Sequence, residues 1–98
     1  MNFEEKTFNA KIRFAFLGEI EGMNGLFVQL GFECGDNKTF STQKRLVKTP
    51  YEILTILRVL GVNSWEELSR KFVRIKVIDK NIISIGNIME DEWIEWDK

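Results

Sequence analysis

Between Lys38 and Lys48 the chain gathers the cations Lys38, Lys44, Arg45 and Lys48 with the neutral donors Thr39, Ser41, Thr42 and Gln43. Phosphate recognition draws on that mixture, using charge for attraction and hydroxyl or amide donors for direction. Phe40 adds a ring that can stack on a base if it faces outward. The stretch is neither a Walker nor a dinucleotide motif, and a charged edge strand that resists aggregation has the same composition. A second basic run holds Arg70, Lys71, Arg74 and Lys76, with Arg74 and Lys76 two residues apart and so on one strand face. It extends the first run if the two strands are neighbours, and is otherwise a solvated face. The expected ligand-binding set is Lys38, Thr39, Phe40, Ser41, Gln43, Lys44, Arg45 and Arg74.

Other chemistry is thinly supplied. The 98 residues contain no histidine, the commonest general base and transition-metal ligand, and a single cysteine, Cys34, so no intramolecular disulfide or thiolate cluster can form. Cys34 alternates with Leu30 and Phe32 and reads as a small buried hydrophobe. No catalytic residue, metal or cofactor is implied, and the chain is expected not to be an enzyme. The acidic end from Glu90 to Asp97 interleaves five acids with Trp93 and Trp96. It reads either as a nucleic-acid mimic or docking segment anchored by Trp, or as a solvated terminus with Trp93 packed on a sheet. In the second reading Trp96 is the exposed contact, and the last few residues contribute little to the fold.

The charge behind these runs is sorted. Residues 38–80 hold ten Lys or Arg against four acids, a balance of +6, whereas residues 1–37 carry −3 and residues 81–98 carry −4, giving −1 overall. A basic middle between acidic flanks implies an anionic partner for the middle.

The elements that must position these groups follow from periodicity. Phe8, Ala10, Ile12, Phe14 and Phe16 alternate with Lys11 and Arg13, which predicts a strand over Thr7–Leu17 with Phe14 and Phe16 in the core. Leu26, Val28, Leu30, Phe32 and Cys34 mark a second strand, paired with the first as an antiparallel hairpin. Gly35-Asp36-Asn37 is a turn, and Thr39–Leu46 a polar third strand. Thr49-Pro50-Tyr51-Glu52 has the cap, the first-turn proline and the capping-box acid of a helix start. Ile53, Leu54, Ile56, Leu57 and Leu60 form that helix's buried stripe, and Gly61 ends it. Ser64-Trp65-Glu66-Glu67 opens a short second helix with Trp65 as a core plug. Residues 72–78 and 82–88 form a closing hairpin through Asp79-Lys80-Asn81. The expected fold is one α+β domain over residues 1–98: an antiparallel, curved sheet or small open barrel of about five strands, ordered βββ, α, short α, ββ, with one main helix packed on it. The N-terminus lacks a signal-peptide pattern and no apolar run is long enough to span a bilayer, so a cytoplasmic location without membrane contact is expected.

Three segments carry a resemblance: Leu60-Gly61-Val62-Asn63-Ser64-Trp65-Glu66-Glu67-Leu68, then Phe72-Val73-Arg74-Ile75, then Ile85-Gly86-Asn87-Ile88 with Asp91-Glu92-Trp93. Together with Phe16-Leu17-Gly18-Glu19-Ile20-Glu21 they make the chain similar to a family of small, uncharacterised phage and prophage proteins. Family members carry a glycine- and glutamine-rich stretch after the second strand, where this chain reads Gly35 to Gln43. The resemblance implies an origin in mobile elements, and with it antagonism of host defences. Joined to the basic run, it gives the expectation of a phage-type, non-enzymatic protein that binds and sequesters an anionic, nucleotide-derived small-molecule signal in the host cytoplasm. A homo-oligomer is expected, because so small a domain has little room for a deep pocket and an interface can enclose a ligand. The alternatives are an inhibitor that docks on a host defence protein or nucleic-acid-guided complex through the acidic Trp-containing end, and a nucleic-acid-binding accessory protein.

Overall fold

The N-terminal period-two run becomes a 15-residue strand, β1 (Glu5–Glu19), long enough to serve two neighbours. In the computed structural model, which describes residues 4–96, its first half pairs with β5 (Phe72–Ile78) and its second half with β2 (Leu26–Glu33), both antiparallel. Lys11 belongs to both pairings, opposite Phe72 on one side and Glu33 on the other. There the strand bulges, and Arg13 is the extra residue between Ile12, opposite Phe32, and Phe14, opposite Gly31.

That bulge overturns one expectation. Because side chains alternate with period two, one inserted residue exchanges the faces beyond it. Ala10 and Ile12 are buried, but past Arg13 it is Ala15 and Leu17 that pack against the core. Phe14 is 37% exposed and lies across Gly31 on the outer face, so neither Phe14 nor Phe16 belongs to the core.

The rest of the sheet follows from local signals. Asp36 and Asn37 take left-handed backbone in the turn after β2, and Asp79 and Lys80 do so in the two-residue turn joining β5 to β6 (Asn81–Asn87). The predicted third strand is interrupted, giving β3 (Thr39–Ser41) and β4 (Arg45–Leu46), both paired with β2. The cause is Thr42, which is buried. Its N–H donates to the Leu30 carbonyl at 2.9 Å while its hydroxyl accepts the Leu30 N–H at 3.0 Å, so one residue satisfies both ladder groups. Gln43 and Lys44 are thereby left outside the ladder. The split, with an added C-terminal strand β7 (Trp93–Glu95) beside β6, raises the strand number from the expected five to seven.

The order β3-β2-β1-β5-β6-β7 places the strand after the helix beside the first strand, a Greek-key return. The sheet is open, with no strand pairing joining β3 or β4 to β7 among the described residues. Across its open side Arg45 donates to the Glu95 carbonyl at 3.2 Å and the Trp96 indole N–H to the Gln43 carbonyl at 3.4 Å. The helix α1 (Pro50–Leu60) buries Ile56 and Leu60 and packs Ile53 and Leu57 on the same core, whereas Leu54, at the margin of that stripe, is exposed. It covers the sheet at the Asn87 end of β6, whose side-chain amide donates to the Val59 carbonyl at 2.8 Å. The second helical segment is a single 3-10 turn, Trp65–Leu68, and Trp65 plugs the β1 bend with its indole N–H on the Ala15 carbonyl at 3.1 Å.

The C-terminal end is folded into this architecture. Trp96 is 6% exposed and belongs to the core, and its N–H donates to the Ile83 carbonyl at 2.8 Å. The expectation of an exposed Trp96 and a dispensable terminus is therefore corrected: pairing of β7 carries Trp96 inward beside Ile94. Asp97 and Lys98 lie outside the described residues. No described helix is long and apolar enough to cross a membrane.

Candidate functional site

The end of the sheet away from α1 is a mouth, and the register of β1 decides what lines it. Lys6 and Phe8 lie opposite Val77 and Ile75, so they share the inward face with Ala10 and Ile12. Phe40 lies opposite the buried Phe32 and also faces inward. At the mouth, beyond the last fully packed layer, the rings of Phe8 and Phe40 meet at a centroid distance of 5.4 Å, tilted by 35°. A basin of about 730 Å³ opens over them, lined also by Lys6, Lys38, Thr39, Ser41, Val77 and Lys80 and by the acids Glu4 and Asp79.

Three cations, Lys6, Lys38 and Lys80, and two acids, Glu4 and Asp79, line the basin, a local balance of +1. Among the described residues the ion pairs are Lys11 with Glu33 at 3.1 Å and Arg45 with Glu52 at 3.5 Å, neither involving Lys6, Lys38 or Lys80. Lys38 Nζ stands 5.8 Å from the Phe8 ring centroid, a cation over an aromatic face. The Lys38 ammonium over the Phe8 ring, with Lys6 and Lys80 lining the same basin, offers attraction for phosphate beside an apolar platform for a flat ring. Burial pushes the nearby Cys34 thiol up, partly opposed by the Lys38 charge, so the thiol is a poor nucleophile.

A second hollow of about 440 Å³ adjoins the first and is lined by Ser41, Gln43, Lys44, Arg45, Asn81, Ile82 and Trp96. Ser41 borders both. The expected set is thus distributed: Lys38, Thr39, Phe40 and Ser41 line the basin, and Ser41, Gln43, Lys44 and Arg45 the hollow beside it.

Two of the expected cations are engaged within the fold. Arg45 bonds the Glu95 carbonyl, pairs with Glu52 and lies 5.6 Å from the Trp96 ring centroid, which makes it a tie across the open side of the sheet. Arg74 is not brought to the mouth at all. It alternates with the buried Val73 and Ile75 and so faces outward, where it donates to the carbonyls of Asn87 at 2.8 Å and Glu90 at 2.7 Å. Trp93 lies flat over Gly86, with Arg74 at 4.6 Å and Lys76 at 4.2 Å from its ring centroid, and its indole N–H is taken by Asp91 at 2.9 Å. Both indoles of the acidic end are therefore held within the fold, and the exposed residues there are Glu90, Asp91, Glu92 and Glu95.

Sequence reasoning missed Lys6, Phe8 and Lys80 as site residues. The signal for Lys6 and Phe8 was the same period-two face that marks Ala10 and Ile12 as core, continued outward until it runs into solvent. No family model, curated protein or solved structure gives a significant match to this chain.

Proposed function

We propose that this domain is a non-enzymatic binder that holds a phosphate-bearing, nucleotide-like small molecule in the basin between Lys6, Phe8, Lys38, Phe40 and Lys80. The observation that carries this reading is a basin floored by the paired rings of Phe8 and Phe40, with Lys38 over the Phe8 ring and Lys6 and Lys80 in the lining, the three lysines outnumbering the acids Glu4 and Asp79 and forming no ion pair within 4.0 Å among the described residues. Phosphate goes to the lysines and a base lies against the rings. A cavity of this size is within the range of small-ligand sites and is formed by one chain, so binding does not require a second copy to enclose the ligand.

Two further considerations favour it. An open antiparallel sheet with a Greek-key order also occurs in the OB-fold, a five-stranded barrel type that binds oligonucleotides and oligosaccharides; this chain has four long strands and three short ones, and the shared feature is an analogy that fixes no function. The similarity to small phage and prophage proteins gives binding without turnover a purpose, the withdrawal of a nucleotide-derived signal from a host defence.

The test is calorimetric titration of adenosine 5′-monophosphate and inorganic phosphate into the full chain and its Lys38→Ala, Lys80→Ala double variant. Loss of a charge-assisted hydrogen bond costs about 1.5–3 kcal/mol, so the pair is expected to weaken nucleotide binding by more than about tenfold while circular dichroism stays unchanged. Equal affinity of variant and wild type would reject the basin as the site.

A further inference from the structure

We infer that the mouth is built for two nucleotide units joined through phosphate, one in the basin and one in the hollow beside it, an inference that rests on the reading just proposed. The two cavities are contiguous: Ser41 lines both, and the β5–β6 turn gives Lys80 to the first while the first residue of β6, Asn81, lines the second. Their chemistry differs in a complementary way. The basin has the phenyl platform and three lysines, whereas the hollow has the amides of Gln43 and Asn81 and the ammonium of Lys44.

Amide side chains pair with the donor and acceptor edges of a base. Asn81 spends one N–H on the Asp79 carbonyl at 3.2 Å, which leaves its second N–H and its amide oxygen for a ligand. Gln43 offers a second amide in the same hollow. Gln43 and Lys44 are available because Thr42 alone satisfies both ladder groups of Leu30, so these two exposed residues stand outside the sheet pairing. One base then rests on Phe8 and Phe40, the linking phosphate sits by Ser41 between Lys38 and Lys80, and the second base meets Gln43 and Asn81. A free dinucleotide and two consecutive nucleotides of a single strand share this chemistry.

The experiment titrates the full chain with adenosine 5′-monophosphate, the 5′-phosphorylated dinucleotide pApA and single-stranded dA10, using wild type, Lys38→Ala and the Gln43→Ala, Lys44→Ala pair. The dinucleotide is expected to bind at least about tenfold more tightly than the mononucleotide. The Gln43, Lys44 pair is expected to remove that gain and leave mononucleotide affinity unchanged, whereas Lys38→Ala weakens both. A dinucleotide that binds no more tightly than the mononucleotide, or a gain that survives the Gln43, Lys44 pair, overturns the two-unit site while leaving the proposed function standing. Absence of binding by all three ligands removes both. Tighter binding of dA10 than of pApA, with steep salt dependence, assigns the two units to a single strand; equal or weaker binding assigns them to a small molecule, and the two-unit site holds in either case.

Discussion

Glu52 shows how a single side chain ties the helix to the open side of the sheet. Its carboxylate accepts the N–H groups of Lys48 and Thr49 and faces Arg45 at 3.5 Å. Burial by itself raises its pKa, but those N–H groups and the Arg45 and Lys48 charges outweigh burial and hold the carboxyl below its ordinary value of 4.5. A depressed folded-state value means that the carboxylate stabilises the fold above the unfolded-state value and loses that contribution as pH falls through the lower, folded-state value. Replacing Glu52 by Gln is expected to lower unfolding free energy by about 1 kcal/mol at neutral pH. In acid, where the wild-type group is itself protonated, the difference should close. Urea unfolding of both proteins at neutral and acid pH measures this, and a difference that persists unchanged into acid would show that the charge is irrelevant.

The elements that were legible in the sequence are those whose signals are local. The β5–β6 hairpin, the Pro50 helix start, the Gly61 stop and the turn at Asp36-Asn37 all form where turn chemistry and periodicity place them, because each is decided within a few residues. The β1 bulge was not legible, since Arg13 looks like any polar residue in an alternating strand and only pairing with both β2 and β5 reveals it as the extra one. The three-residue β7 was hidden for a related reason: its partner β6 lies on the far side of a loop, and its acidic composition reads as solvent-exposed. Its contribution is testable. Truncation after Ile94 removes the buried Trp96 and leaves its place in the core empty, a loss on the order of 3–5 kcal/mol by comparison with large-to-small core changes. A domain of this size has about 5–15 kcal/mol in all, so the unfolding midpoint of the truncated chain should fall steeply. An unchanged midpoint would mean that Trp96 is not part of the core.

Across the whole molecule, the sheet redistributes the charge sorted along the chain. The basic middle does not form one surface: Lys38, Lys44 and Lys80 gather around the mouth, Arg45 ties the open side, and Arg74 and Lys76 hold Trp93 on the outer face. Lys6, from the acidic N-terminal segment, joins the mouth through register alone. This is why about half of the candidate site was readable: the Lys38–Ser41 stretch is contiguous, whereas Lys6, Phe8 and Lys80 come from segments some thirty to forty residues away that only the sheet brings beside it. In the proposed reading, the cations and aromatic rings of this mouth hold a nucleotide. The most direct measurement is a nuclear magnetic resonance titration of the isotope-labelled chain with adenosine 5′-monophosphate. The predicted result is saturable shift changes confined to Lys6, Phe8, Lys38–Ser41 and Lys80. Shift changes centred instead on Arg74, Lys76 and Trp93, or none at saturating nucleotide, would contradict the assignment of the mouth as the binding site.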